Sequence, residues 1–150
     1  MTYFQNSKHN QLGVITTMSD LNRKQKILDG FKALAAGNAD PLMSIYDPNV
    51  EWIIIGETKF SGTYNGLDDV GVRLLGPISE LLDGHIKLTA ENLISEGDFV
   101  VVQGFGESNV AAGGTYNNTY CWIYQWSGEQ VVKVTEYLDT ELVTKAFGAA

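Results

Sequence analysis

Hydrophobic positions along this chain recur first with a helical period and later with the alternation of strands. The first helical set falls at i, i+4, i+7 and i+8 and consists of Ile27, Phe31, Leu34 and Ala35. This spacing places the set on one face and predicts an amphipathic helix that ends near Gly37. Residues 1–18, which precede it, are polar and aperiodic, and are predicted to form a flexible arm.

A second, short helix is expected to begin at Asp40-Pro41, where an N-cap residue is followed by proline. We predict that it runs to Asp47-Pro48, because the residue before a proline avoids the helical region. Its inward side chains are predicted to be Leu42, Ile45 and Tyr46. Residues 50–55 then form a strand according to their β-branched content.

A third helix is predicted after Gly66, and Pro77 is expected to kink or break it. Its apolar face consists of Val70, Leu74, Ile78 and Leu81. After Gly84 the pattern changes to strands, separated by turn residues rich in glycine and serine. These strands are predicted at about 85–94, 99–109, 115–126 and 130–138, and a last short helix at about 141–147. Helices followed by a meander of strands indicate an α+β fold, with the helices on one face of a curved, mainly antiparallel sheet that encloses a pocket.

Composition restricts the class of protein. A chain of 150 residues has the size of one domain, predicted here as 19–150, and 44% hydrophobic with 19% charged residues is ordinary for a globular protein. The net charge of −8 repels phosphate backbones, so nucleic acid is not an expected partner. The chain has no apolar run of the ~20 residues that a membrane span needs. No export signal is recognisable and there is a single cysteine, Cys121, so a cytoplasmic location is predicted.

One strand carries a row of aromatic and polar residues on a single face. By the period of two, that face holds Tyr116, Asn118, Tyr120, Trp122, Tyr124 and Trp126. The row either lines a ligand pocket or lies on the outer face, where a partner subunit buries it, since one bulge exchanges the two faces. Trp52, with Ile54 two residues on, is predicted to form a cavity wall.

Glu136 is the residue with the most informative position for chemistry. It is predicted to share the apolar side of the last strand with Val132, Val134 and Leu138. A carboxylate there must be neutralised or paired, because burying it bare costs several kcal/mol. Two interpretations remain open: a raised pKa makes Glu136 a general acid or base, or the group hydrogen-bonds Tyr46, Asn118 or a backbone group and only stabilises the barrel.

The remaining reactive side chains form no recognisable site. His9 lies in the arm and His85 at the start of a strand, and neither is spaced to pair with Cys121. No clustered set of His and Cys suggests a metal, and the glycines at 104 and 106 lack the helix of a dinucleotide loop. We therefore expect no metal and no cofactor.

Four segments give the chain a family resemblance. They are FKALAAGNADPLMSIYDPNVEWIIIG (31–56), FSGTYNG (60–66), ISEGDFVVVQG (94–104) and YCWIYQWSGEQVVKVTEYLDT (120–140). In these segments the chain resembles the NTF2-like superfamily, and within it the SnoaL-like proteins related to ketosteroid isomerase and polyketide cyclases. The resemblance implies a cone of helices packed on a curved sheet around a pocket, and often a homodimer through the sheet. It is more specific for fold than for activity.

The catalytic residues of ketosteroid isomerase are not retained. The first-helix tyrosine of that family corresponds to Phe31, the base aspartate to Trp52 or Ile53, and the neutral acid to Tyr120 or Cys121. All three positions depart from the isomerase pattern, so isomerisation by that mechanism is not expected.

In related polyketide cyclases a strand carboxylate acts as acid or base, which implies Glu136 and, at the strand end, Asp139 as catalytic candidates. The expected pocket-lining residues are Tyr46, Trp52, Ile54, Asn118, Tyr120, Trp122 and Val134. Two classes of function remain: a cofactor-free enzyme of the isomerase or cyclase type on a small hydrophobic molecule, and a non-catalytic ligand-binding or dimerisation domain. The partners expected are that small molecule and a second copy of the chain.

Overall fold

The structure, a computed structural model, describes residues 16–150. The helices are α1 (Met18–Ala35), α2 (Asp40–Met43), α3 (Leu67–Val70), a π-helical turn (Gly71–Leu75), α4 (Gly76–Leu81) and α5 (Thr140–Phe147). The strands are β1 (Tyr46–Ile54), β2 (Gly62–Asn65), β3 (Leu82–Glu96), β4 (Phe99–Val110), β5 (Asn118–Ser127) and β6 (Gln130–Leu138). No helix within residues 16–150 is long and apolar enough to cross a membrane.

The six strands form one sheet in the order β2-β1-β6-β5-β4-β3. All neighbours are antiparallel except β1 and β6, which pair in parallel. The predicted α+β class and mainly antiparallel sheet are therefore confirmed. The parallel pair joins the first and last strands of the chain, and it brings the residues of β1 beside Glu136.

Local sequence accounts for both ends of α1. Thr17 and Asp20 form a reciprocal capping box, with Asp20 N donating to Thr17 Oγ1 at 3.1 Å and Thr17 N to Asp20 Oδ2 at 2.8 Å. At the other end Gly37 has φ +87°, a conformation that favours glycine after a helix. The predicted end of this helix is confirmed, while the predicted arm falls mostly on residues 1–15, outside the described residues.

The prediction for the second helix was wrong at its end. α2 stops at Met43, and Tyr46, Asp47 and Pro48 already belong to β1. The β1–β6 register is irregular between Tyr46 and Glu51, so Pro48 occupies a place in the strand where no regular ladder bond is lost. Tyr46 is buried, as expected, but from a strand.

Pro77 begins a helix where we expected it to kink or break one. It lies in the first turn of α4, where its missing N–H costs little. The π-helical turn immediately before it joins α3 to α4 and absorbs the change in hydrogen bonding. The short strand β2 was not predicted; it pairs with β1 through Trp52 and Tyr64.

The row of aromatic and polar residues from Tyr116 to Trp126, most of it on β5, faces the helices. All six members are buried. Of the two positions considered for this row, the pocket side and the outer face, the structure has it on the inner face of the sheet. Between β5 and β6 a register shift follows Gln125, so Val131 is fully buried while Val132 is only half-buried. The predicted inward position of Val132 was therefore wrong, because the bulge changes the phase of the strand.

Candidate functional site

A cavity of about 350 Å³ lies between the helices and the inner face of the sheet. Its wall is mostly apolar, with side chains from α1, α2, the π-helical turn, α4 and α5 on one side and from β1, β3, β5 and β6 on the other. A cavity of this size and character suits a small, mainly hydrophobic molecule held by few polar contacts.

Glu136 provides the carboxyl group of this cavity. It lines the wall, and Trp52 Nε1 donates a hydrogen bond to its Oε2 at 3.1 Å. The strand register explains the pairing: Ile54 lies opposite Glu136 on β1, and Trp122 lies opposite it on β5. The indole of Trp52, two residues before Ile54, therefore reaches the carboxyl diagonally across the sheet.

Burial raises the pKa of Glu136 from 4.5 to about 7, although the indoles of Trp52 and Trp122 act in the opposite direction. Desolvation is the larger effect: burial costs the carboxylate more hydration free energy than the hydrogen bonds from the two indoles restore. A carboxyl group with this pKa is present in both protonation states near neutral pH, as a general acid or base requires.

Tyrosine hydroxyls form the rest of the polar surface near Glu136. Burial raises the pKa values of Tyr46, Tyr116, Tyr120 and Tyr124 above the ordinary value, with the Glu136 charge adding to the effect, so these groups remain protonated. A protonated phenol can donate a hydrogen bond to a ligand oxygen. The cavity thus combines one titrating carboxyl with neutral donors.

The predicted pocket residues divide into two sets. Five of the seven line the cavity: Tyr46, Trp52, Ile54, Tyr120 and Trp122. Val134 is fully buried and Asn118 is 2% exposed, but neither lies in the wall. Asn118 instead bonds the backbone of Asp139 in both directions, with its Nδ2 3.0 Å from the carbonyl oxygen and its Oδ1 3.0 Å from the amide nitrogen.

Asp139 lies outside the cavity wall and caps α5. Its Oδ1 accepts hydrogen bonds from the backbone nitrogens of Glu141 at 3.0 Å and Leu142 at 3.2 Å. The side chain satisfies free amides at the helix start, a structural role for this residue type. Asp139, predicted as a second catalytic candidate, therefore does not line the cavity that holds Glu136. The purely structural interpretation of Glu136 predicted a hydrogen bond to Tyr46, Asn118 or the backbone. In the structure the hydrogen-bond partner is Trp52.

The positions that correspond to the isomerase residues surround the same cavity. Phe31 lines it and meets Trp122 edge to face, with ring centroids 5.3 Å apart. Trp52 and Tyr120 lie in the wall, while their chain neighbours Ile53 and Cys121 do not. The cavity therefore has aromatic side chains where the isomerase has its tyrosine and its two carboxyl groups.

Sequence reasoning missed three kinds of lining residue. The π-helical turn contributes Leu74 and Leu75, α5 contributes Val143 and Phe147, and β3 contributes the imidazole of His85. The apolar residues followed a helical period that could have identified them. His85 gave no signal, because its place depends on an irregularity in β3. Within residues 16–150 no group of three or more His, Cys, Asp and Glu could hold a metal ion.

Comparisons with solved structures agree on the fold. An NTF2-like protein of unknown function from Burkholderia pseudomallei superposes with a TM-score of 0.74 at 17% identity, covering 85% of this chain and 98% of the other. TerC, co-crystallised with polyporic acid, gives 0.72 at 21% identity over 83% and 96%. A candidate SnoaL-like polyketide cyclase from Jannaschia sp. CCS1 gives 0.73 at 16% identity over 92% and 99%. At these identities the likeness establishes the fold alone.

Sequence comparison establishes the family. An uncharacterised protein of Mycobacterium tuberculosis is 25% identical over 119 residues, which span 79% of this chain and 90% of the relative. The model of the SnoaL-like domain matches residues 27–134, which include the second half of α1, most of the sheet and most of the cavity wall. The chain therefore belongs to the SnoaL-like domain family, with the NTF2-like fold.

Proposed function

We propose that this protein binds a small, mostly apolar, ring-containing molecule in the cavity and moves a proton on it through Glu136. The observation that carries the proposal is a carboxyl group with a pKa of about 7 in the wall of a largely apolar cavity. Ketone chemistry suits these groups: the carboxylate of Glu136 accepts a proton from the carbon next to a ligand carbonyl. Neutral tyrosines donate hydrogen bonds to the oxygen that becomes negative, and the proton then returns to carbon or passes to water.

Two further observations support a ligand of this class. The wall contains Trp122 and Tyr120, which stack with ring centroids 4.6 Å apart and an interplanar angle of 10°, and flat aromatic walls favour flat ligands. TerC, which has the same fold, was co-crystallised with polyporic acid. No cofactor is part of the proposal, since a carboxyl and hydroxyl donors suffice for proton transfer.

The binding step is tested by closing the entrance. Leu75 lines the cavity at 37% exposure, whereas Val72, three residues earlier in the same helical turn, is 77% exposed and lies outside the lining. Leu75→Trp is expected to weaken binding of 2-naphthol at least about tenfold, which corresponds to about 1.4 kcal/mol. The matched variant Val72→Trp should bind like the wild type. Isothermal titration calorimetry measures all three, and equal affinities, or no saturable binding by the wild type, would count against the cavity as the site.

The homodimer through the sheet stays a prediction. Because the aromatic row lies on the inner face of the sheet, we expect the dimer contact on the outer face. The register aligns a row across five strands of that face, apolar except at β6, consisting of Ile53 (β1), Thr135 (β6), Ile123 (β5), Val101 (β4) and Ile94 (β3). We expect a dimer mass by light scattering at micromolar concentration and a monomer for Ile123→Lys, because the new charge is unpaired in an apolar contact. A wild type of monomer mass at that concentration would contradict this. The cytoplasmic location likewise stays a prediction.

A further inference from the structure

The first residues of β3 depart from a regular strand. Asp83 pairs with Asn109 and Lys87 pairs with Glu107, so three residues of β3 lie opposite one residue of β4. Those three residues, Gly84, His85 and Ile86, all line the cavity. A regular strand would point the middle one to the opposite face, whereas a bulge redirects side chains in this way. The irregularity therefore gives His85 its place at the cavity.

Two glycines with positive φ accommodate this imidazole. Gly84 has φ +87°, which permits the bulge, and Gly37 at the end of α1 also has φ +87°. A Cβ on Gly37 would lie only 2.6 Å from His85 Nε2, so the ring packs directly against the backbone there. The imidazole is thus held between the end of α1 and the start of β3.

His85 is the polar group with free bonding capacity at the entrance. The exposed lining residues define that entrance, which we call the mouth: Ala39, Leu75, Ser79, Gly84 and His85. Only two of them have polar side chains, and the Ser79 hydroxyl donates to Gly76 O at 2.7 Å. His85 makes no hydrogen bond to another residue of the described range 16–150, and an imidazole can both donate and accept.

The polar groups that can meet a ligand therefore lie in two places: Glu136 with Trp52 and the tyrosine hydroxyls inside the cavity, and His85 at the mouth. We propose that His85 is a specificity-determining residue that selects flat ring-containing ligands with an oxygen substituent at each end, the outer one a carboxylate or phenol. This inference rests on the proposed function, since it names the substrate class of the same cavity.

The test compares two probes that differ only at the outer end. 2-Naphthol has one polar substituent, whereas 6-hydroxy-2-naphthoate has two at opposite ends of the same rings. We expect the wild type to bind the second probe more tightly, and His85→Phe to lose about tenfold of that affinity, which is the size of a lost hydrogen bond to a charged group. The affinity of His85→Phe for 2-naphthol should change much less than its affinity for 6-hydroxy-2-naphthoate, and His85→Gln should keep part of the preference.

Lys87→Gln is the control for general electrostatics, because Lys87 is an exposed cation two residues further along β3, paired with Glu107. It should leave the preference intact. If His85→Phe retains the wild-type preference, or if Lys87→Gln removes it equally, His85 does not determine specificity while the cavity remains the binding site. If the wild type binds neither probe, the proposed function fails together with this inference.

Discussion

Glu136→Gln is expected to lower proton exchange by this protein at least about 100-fold, the low end of what a positioned acid or base contributes. The amide cannot take up a proton, but it keeps the shape of the side chain and an oxygen for the Trp52 indole. A suitable measurement is deuterium incorporation at C1 of 2-tetralone in D₂O, followed by proton NMR. The wild-type rate should rise with pH around a midpoint near 7, because the carboxylate is the base and its pKa is about 7.

Two controls separate chemistry from binding. Affinity for 2-naphthol should change far less in Glu136→Gln than the exchange rate does, since the amide keeps the shape of the side chain and can still hydrogen-bond a hydroxyl group. Glu91→Gln makes the same chemical change at an exposed position of β3 and should leave exchange unaltered. Retained exchange in Glu136→Gln would refute Glu136 as the base. A wild type that binds 2-tetralone without accelerating exchange would favour the non-catalytic binding domain.

The stability of the same variant should depend on pH in a defined direction. The pKa of Glu136 is about 7 in the folded protein against 4.5 ordinarily, so between these values the folded state holds a proton that the unfolded chain releases. The stability that this bound proton gives the folded wild type is fully present below pH 4.5 and is lost as pH rises through 7. Glu136→Gln has no such proton. Between pH 5 and pH 8 the free energy of unfolding of the wild type should therefore fall by about 2 to 3 kcal/mol relative to that of the variant.

Urea denaturation at both pH values measures this difference, and Glu91→Gln gives the baseline for removing one surface carboxylate. The result is independent of any ligand or substrate, which makes it a direct check on the environment of Glu136. If instead Glu136→Gln is less stable than the wild type and the difference in free energy of unfolding grows towards pH 8, the carboxylate is ionised and stabilising in the folded protein. The general acid or base assignment would then lose its support.

Local pattern was sufficient for much of the fold. Glycine and serine turns gave the hairpins near 95–98 and 127–128, and the β3 to β6 order follows from them. The helical spacing of Ile27, Phe31 and Leu34 gave α1. These features depend on residues close in the chain, where period and turn chemistry act directly. The class of fold and the family resemblance followed, and both are confirmed.

The site was only partly accessible from the sequence. The apolar neighbours of Glu136 on its own strand indicated that the carboxyl faces inward, which it does. Its partner could not be read from that strand, because Trp52 lies 84 positions away in the chain and is brought close by the parallel pairing of β1 with β6. Pairing between distant strands depends on the register of the whole sheet.

The chain by itself therefore determined the elements, their order and the inward carboxyl, since each depends on period and turn residues within a few positions. The tertiary structure decided which face of β5 meets the helices, that Trp52 donates to Glu136, and that His85 stands at the mouth. The physical reason is that one bulge reverses or redirects side chains along a strand of period two. The bulges at Gly84–Ile86 and after Gln125 are defined by pairing across the sheet; Gly84 permits the first, but the alternation along a single strand reveals neither.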